Sequence, residues 1–162
     1  MRIPDYLETD GTKITGCKES DMPKKLLNIP DGVTEIGSAA FNDCKSLEGV
    51  SISNSVTKIG QHAFDGCTAI RGAWIGDRVT EIDSDAFHDC SALKTVWIPG
   101  NMTKIGPGAF GNCGMLDEIE YSGTKAQWGE IEKGAGWHCN VSSRAKVRCT
   151  DGEVDLDYMG DS

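Results

Sequence analysis

The chain has 162 residues, and its 25 acidic and 16 basic side chains give a formal net charge of -9 at pH 7. The length fits one domain, and the acidic balance argues against nucleic acid and anionic membranes, because both are bound through basic patches. No apolar run approaches the roughly 20 residues needed to cross a bilayer, so membrane insertion is not expected.

Residues 1–26 do not share the pattern that follows, and we interpret them as an N-terminal cap. Within this segment, residues 11–16 predict a short strand that covers the first turn of the array behind it, since an open array leaves unpaired backbone groups at its ends. Residues 1–6 lack the charged and then apolar pattern of a secretory signal.

From residue 27 to residue 119 the chain repeats every 23 residues without an insertion. Such a fixed step indicates stacked units that cannot bury their apolar faces alone. We therefore predict a solenoid of four full turns, with the repeated residues inside. The most regular columns are Phe41, Phe64, Phe87 and Phe110; Cys44, Cys67, Cys90 and Cys113; and Ile36, Ile59, Ile82 and Ile105.

One turn is expected to contain two short strands and one tight helical turn. Residues 94–98 and 102–105 alternate inward and outward side chains, as strands do. Phe110 follows on the helical turn, which directs its ring into the core. A glycine or aspartate precedes this turn, and we expect positive φ at that position; the residues concerned are Gly37, Gly60, Asp83 and Gly106.

An outward column of the second strand alternates in sign, through Glu35, Lys58, Glu81 and Lys104. Stacking would place opposite charges next to each other, and a slip by one turn would oppose like charges. Each exposed pair contributes only about 0–1 kcal/mol. We interpret this column as structural.

Four of the seven cysteines share one column of the repeat. Stacked strands about 4.8 Å apart would allow disulfides by distance, but parallel side chains do not converge as a disulfide requires. We interpret these residues as buried thiols that fill the core. The sequence leaves the redox state of Cys17, Cys139 and Cys149 open.

The pattern ends at Ile119, and residues 120–152 are interpreted as a C-terminal cap. Residues 124–131 predict a short helix, capped by Ser122 or Thr124, which lays Trp128 over the open core. Residues 145–149 predict the last strand. Residues 153–162 are acidic and weakly apolar, so we expect disorder there.

These columns resemble the divergent, BspA-like leucine-rich repeats of bacterial surface proteins. The resemblance rests on residues 29–37 (Ile-Pro-Asp-Gly-Val-Thr-Glu-Ile-Gly), 109–113 (Ala-Phe-Gly-Asn-Cys), 121–128 (Tyr-Ser-Gly-Thr-Lys-Ala-Gln-Trp) and 149–152 (Cys-Thr-Asp-Gly). It implies an α/β, β-rich leucine-rich-repeat solenoid used for adhesion or protein recognition. The implied partner is a protein, and host proteins are among the candidates. It also implies an extracellular or cell-surface location, whereas the absence of a secretion signal leaves a cytoplasmic one open.

Function should come from outward positions, because the repeated ones point inward. We predict a binding patch centred on Trp74 and Trp97, since exposed tryptophans on a rigid face are typical of interaction hot spots. The alternative is that the two rings only cover each other and the sheet. The candidate binding residues are Ser51, Arg71, Trp74, Lys94, Thr95, Trp97, Glu118 and Glu120. A glycan-binding module and an intracellular scaffold remain alternatives, and we expect a monomer.

No catalytic constellation is evident, so we expect a non-enzymatic module without cofactor or metal. His62 and His88 fall in different columns and are predicted to lie far apart. His138 with Cys139 and Cys149 lacks a fourth zinc ligand. Aspartate pairs in the turns are interpreted as solvated turn residues, with calcium as an open alternative.

Overall fold

The computed structural model describes residues 3–156, and in this part the chain alternates between two seven-stranded sheets whose inward side chains form one apolar core. Each turn gives one strand to each sheet. In chain order the strands are β1 (Leu7–Asp10), β2 (Lys13–Cys17), β3 (Leu26–Asn28), β4 (Glu35–Ile36), β5 (Gly49–Ser51), β6 (Lys58–Ile59), β7 (Gly72–Trp74), β8 (Glu81–Ile82), β9 (Thr95–Ile98), β10 (Lys104–Ile105), β11 (Glu118–Tyr121), β12 (Glu132–Lys133), β13 (Lys146–Cys149) and β14 (Gly152–Asp155). A 3-10 helix, Glu19–Asp21, follows β2, and helix α1, Lys125–Glu130, follows β11.

The first sheet has the order β1-β2-β4-β6-β8-β10-β12, and the second has the order β14-β13-β11-β9-β7-β5-β3. Neighbouring strands are parallel except in two hairpins, β1/β2 and β13/β14, which are antiparallel. The first sheet therefore ends in a hairpin at its N-terminal edge, and the second ends in one at its C-terminal edge. The parallel register matches equivalent repeat positions, as in Glu35–Lys58 and Val50–Ala73.

The phenylalanine column forms a continuous interior stack, which confirms the predicted solenoid. Ring centroids of successive phenylalanines are 5.1, 5.1 and 5.4 Å apart and their planes differ by 5–9°. All four rings are fully buried. The array has about five turns, one more than predicted, because the chain from β11 to Asn140 builds another turn. There the backbone N–H of Gly134 donates to Ile105 as Gly106 does to Ile82 in the preceding turn.

The segment that carries each phenylalanine is a run of hydrogen-bonded turns, and the predicted helical turn is not a helix. Alternate backbone N–H groups donate across to the next turn of the solenoid, namely those of His62, Phe64 and Gly66. The N–H groups between them close turns within their own unit. Half of the backbone N–H groups in this segment are therefore hydrogen-bonded within their own unit, and half are hydrogen-bonded to the next turn.

The predicted position of positive φ is wrong. The left-handed residues fall two and six positions later, with φ of 57° at His62 and 79° at Gly66. Gly60 serves close backbone approach, because a Cβ there would lie 2.8 Å from the carbonyl oxygen of Ile36. Asp83 occupies the equivalent position with its Cβ, so glycine is favoured there without being required.

The cysteine column forms a ladder of thiol donors, and the described cysteines are free. The thiols of Cys67, Cys90 and Cys113 each donate to the carbonyl of a phenylalanine in the preceding turn, for example at 3.1 Å from Cys67 to Phe41. Burial raises the pKa of Cys67 to about 12. Cys44 begins the column, and its Sγ lies 3.3 Å from the Sγ of Cys17 in the cap.

The C-terminal end covers the core with aromatic side chains. Thr124 caps α1: its Oγ1 accepts the N–H of Gln127, and Oε1 of Gln127 accepts the N–H of Thr124, as in a capping box. Trp128 is buried, as predicted, and packs edge-on against Tyr121 and Trp137. Nζ of Lys133 lies 4.9 Å from the centre of the Trp128 ring.

The structure differs from expectation after residue 149. A further strand, β14, pairs with the strand predicted to be the last, and Leu156 is buried against the core. Disorder therefore does not begin at residue 153, and the rest of the expected tail, residues 157–162, lies outside the described residues. Within residues 3–156, no helix has the length and apolar character to cross a membrane.

Candidate functional site

The outward positions of the second sheet form two adjacent rows. Strand register brings Ser51, Trp74, Trp97 and Glu120 side by side in one row, which continues to Arg148. The neighbouring row places Leu26, Gly49, Gly72, Thr95 and Glu118 in register. The structure thus brings together the strand residues of the predicted patch, and whether they bind a partner stays a prediction.

Trp74 and Trp97 stack on each other at the surface. Their ring centroids are 4.6 Å apart with an interplanar angle of 7°, and Trp74 is 42% exposed. The benzo edges of both rings lean over Gly72, where a Cβ would lie 3.2 Å from Cη2 of Trp74 and 3.5 Å from Cζ3 of Trp97. The absence of a side chain at this glycine therefore makes room for the indoles.

The apolar surface extends beyond the tryptophans to Leu26. A Cβ on Gly49 would contact both Cζ3 of Trp74, at 3.6 Å, and Cδ1 of Leu26, at 3.4 Å. Leu26 is 42% exposed, and the sequence interpretation missed it. Its signal was position, because it stands 23 residues before Gly49 in the same row. We call these five residues, Leu26, Gly49, Gly72, Trp74 and Trp97, the tryptophan face.

Charged side chains border the tryptophan face. On the C-terminal side, Nε of Arg148 lies 3.7 Å from Oε2 of Glu120 and 4.0 Å from Oε2 of Glu118, so both predicted glutamates share one guanidinium. At the strand entries, Arg71 pairs with Glu48 at 3.5 Å. Lys94, at the next strand entry, is exposed. The tryptophan face carries no nucleophile and no acid–base pair. Its composition is that of a surface which contacts another molecule.

A second group of polar side chains lies on the turns that carry the phenylalanines. Nδ1 of His62 is 2.8 Å from Oδ2 of Asp65, and Nδ1 of His88 is 3.4 Å from Oδ1 of the same aspartate. The prediction that His62 and His88 lie far apart is wrong, because Asp65 and His88 share one column and His62 stands on the same tight turn as Asp65. With Asp85 and Asp89, these side chains form what we call the His–Asp cluster.

The comparisons with known proteins agree with this architecture. The sequence profile described as "BspA type Leucine rich repeat region" matches residues 20–140 in six copies. The chain therefore belongs to the BspA-type leucine-rich repeat family. Repeats of this family are typically non-enzymatic modules for protein interaction. No curated protein sequence matches the chain significantly.

Several solved structures of bacterial leucine-rich repeat proteins are similar. The T. pallidum leucine-rich repeat protein TpLRR is 29% identical with a TM-score of 0.75, over 91% of this chain and 71% of that one. A leucine-rich cell surface protein from Faecalibacterium prausnitzii is 30% identical with a TM-score of 0.57, over 74% of this chain and 38% of that one. The pneumococcal vaccine antigen PcpA, 16% identical with a TM-score of 0.71 over 94% of this chain and 36% of that one, shows the fold alone.

Proposed function

We propose that this protein is a recognition module that binds a protein partner through the tryptophan face. The observation that carries the proposal is the Trp74–Trp97 stack, with Trp74 exposed and Trp97 half-buried, on a sheet whose strands are held on both sides. A rigid surface loses little conformational entropy on binding. Large aromatic side chains surrounded by polar groups are the usual composition of an interaction hot spot.

A glycan partner is the second candidate, because aromatic rings also form platforms for sugars. The stack argues for a protein over a glycan, since each indole covers one face of the other and so leaves fewer ring faces open to a sugar. The outer face of Trp74, beside the small Ser51, is the place where a sugar could stack. The test below separates the two classes.

We place the module at the bacterial surface, in adhesion. The support is the F. prausnitzii relative, which is described as a leucine-rich cell surface protein and is 30% identical. An intracellular scaffold would use the same face with a different partner. Detection of the protein on intact, unpermeabilised cells by an antibody would support the surface location, and its appearance only after lysis would contradict it.

The double substitution Trp74→Ser/Trp97→Ser tests the tryptophan face. Immobilised protein is exposed to proteins released from host cell surfaces, and retained material is measured by surface plasmon resonance. We expect the double variant to lose binding by at least about tenfold, because hot-spot side chains contribute about 2 kcal/mol or more. Protease treatment of the released material should abolish binding, whereas glycosidase treatment should not.

The matched control is Met115→Ser, which removes a 57% exposed apolar side chain outside the tryptophan face. It should bind as the unmodified protein does. If the double tryptophan variant binds normally while its melting temperature falls, the two rings only cover the sheet and the proposal is wrong. Loss of binding after glycosidase treatment would show that the tryptophan face binds a glycan and not a protein.

A further inference from the structure

The His–Asp cluster is an alternating chain of carboxylates and imidazoles across adjacent turns. Asp85 lies 3.8 Å from Nε2 of His62, whose Nδ1 contacts Asp65. Asp65 in turn contacts His88, and Nδ1 of His88 lies 3.3 Å from Oδ2 of Asp89. Two histidines and three aspartates therefore meet at one place, and all but Asp89 are partly buried.

The charges of this cluster are not balanced by lysine or arginine. Among the described residues, the ion-pair partners of Asp65, Asp85 and Asp89 are the histidines alone. Asp83 provides a contrast a short distance along the chain, because Lys58 lies 3.8 Å from its carboxylate. Three carboxylates at one place repel one another, and a bound cation offsets that repulsion.

The donor atoms around His88 have the spacing of metal ligands. Asp65, His88 and Asp89 each offer one donor atom, and the three atoms lie within 4.8 Å of one another. Nδ1 of His88 is 3.4 Å from Oδ1 of Asp65 and 3.3 Å from Oδ2 of Asp89. Ligands about 2.0–2.1 Å from a tetrahedral zinc ion lie about 3.3–3.4 Å apart.

The surroundings orient these donors and leave a path to solvent. The ring of His62 contacts the second oxygen of Asp65 at 2.8 Å, which turns the first oxygen toward His88. Gly111 makes room for the imidazole of His88, since a Cβ there would lie 2.9 Å from its Cδ2. A groove of about 500 Å³, lined in part by Asp85, His88 and Gly111, opens beside the cluster. Asp65 and Asp89 do not line this groove, and the donor atoms reach solvent through the exposed Asp89.

We propose that Asp65, His88 and Asp89 bind one divalent transition-metal ion, with water completing its coordination. One imidazole and two carboxylates favour Zn²⁺, because Ca²⁺ and Mg²⁺ are bound almost entirely through oxygen. His62 is a positioning residue that holds Asp65. The ion joins two adjacent turns of the solenoid, so its binding stabilises the folded chain. The site is independent of the tryptophan face.

Calorimetric titration with Zn²⁺ tests the site in the full chain. We expect one ion per chain, a melting temperature that rises with Zn²⁺ concentration, and loss of both effects in His88→Ala. His62→Ala should weaken binding about ten- to a hundredfold, as other losses of a supporting group around a metal do. The matched control is Asp43→Asn. Asp43 occupies the same column as Asp89 two turns earlier, with Gly66 between them, and its substitution should leave binding unchanged.

The free cysteines require a second measurement, because thiols also bind Zn²⁺. Cys139 lines the same groove, so Cys139→Ser should bind as the unmodified protein does. The Co²⁺ form should show ligand-field absorption without the charge-transfer band of a cobalt–thiolate bond. The proposal would be overturned by a thiolate band in the Co²⁺ form or by the absence of Zn²⁺ binding. It would equally be overturned by unchanged binding in His88→Ala or by a preference for Ca²⁺ over Zn²⁺.

Discussion

The molecule contains two aromatic stacks with nearly the same geometry and opposite surroundings. Rings of the interior phenylalanine stack are 5.1–5.4 Å apart, and those of Trp74 and Trp97 are 4.6 Å apart. The phenylalanines are fully buried, whereas Trp74 is 42% exposed. Parallel register stacks any two aromatic side chains that share a column, so stacking by itself carries no functional information in this fold.

Repetition separates the two stacks. The phenylalanine column is occupied in four successive units because each ring supplies part of the core for its neighbours. The tryptophan row changes from Ser51 to two tryptophans and then to Glu120 within the same register. A column that repeats is constrained by packing, and a row that varies on a rigid sheet is available for recognition.

The largest expected effect comes from truncating one ring in each stack. Phe87→Ala should lower the free energy of unfolding by about 3–5 kcal/mol, because it opens a cavity between two buried rings. Trp97→Ala should cost less, because the loss of the aromatic pair contributes about 0.5–1.5 kcal/mol and the half-buried ring gives up less apolar area than a core ring does. Urea denaturation of both variants measures the difference. Equal losses would mean that the outer stack belongs to the core and that the contrast fails.

A smaller effect comes from the titration of a buried thiol. The pKa of Cys67 is raised by burial from 9.0 to about 12. The unfolded chain therefore ionises this thiol from about pH 9 while the folded chain keeps it protonated. Its contribution to stability is fully present below pH 9 and is lost as pH rises toward 12, at about 1.4 kcal/mol per pH unit.

Urea midpoints measured from neutral pH to about pH 11 would show this loss. Cys67→Ala should reduce the loss of stability at alkaline pH by about 1.4 kcal/mol per pH unit, the contribution of one thiol. This holds whatever free energy of unfolding the substitution costs at neutral pH. The control is Met115→Ala, which removes an exposed side chain without a titratable group and should leave the slope unchanged. A slope in Cys67→Ala equal to that of the control would show that Cys67 does not titrate as a buried thiol.

The sequence predicted the solenoid because identical residues at a fixed step must share one environment. The alternating column of Glu35, Lys58 and Glu81 was placed in the correct register for the same reason. The His–Asp cluster escaped prediction because the directions of its side chains depend on a turn with positive φ at His62 and on hydrogen bonds to the next unit. Strand β14 escaped because it belongs to no repeat.

The smallest expected effect tests whether an outward column that does repeat also acts on stability. In the first sheet, strand register places Glu81 between Lys58 and Lys104. Glu81→Lys would set three lysines side by side and should cost about 0.5–1 kcal/mol, with most of the loss removed by high salt. The control Glu130→Lys makes the same change on α1, outside the column, and should cost less. Neither substitution should affect partner binding by the tryptophan face, because Glu81 lies in the first sheet and the tryptophan face lies on the second. A repeated column then acts on stability even where its side chains point outward.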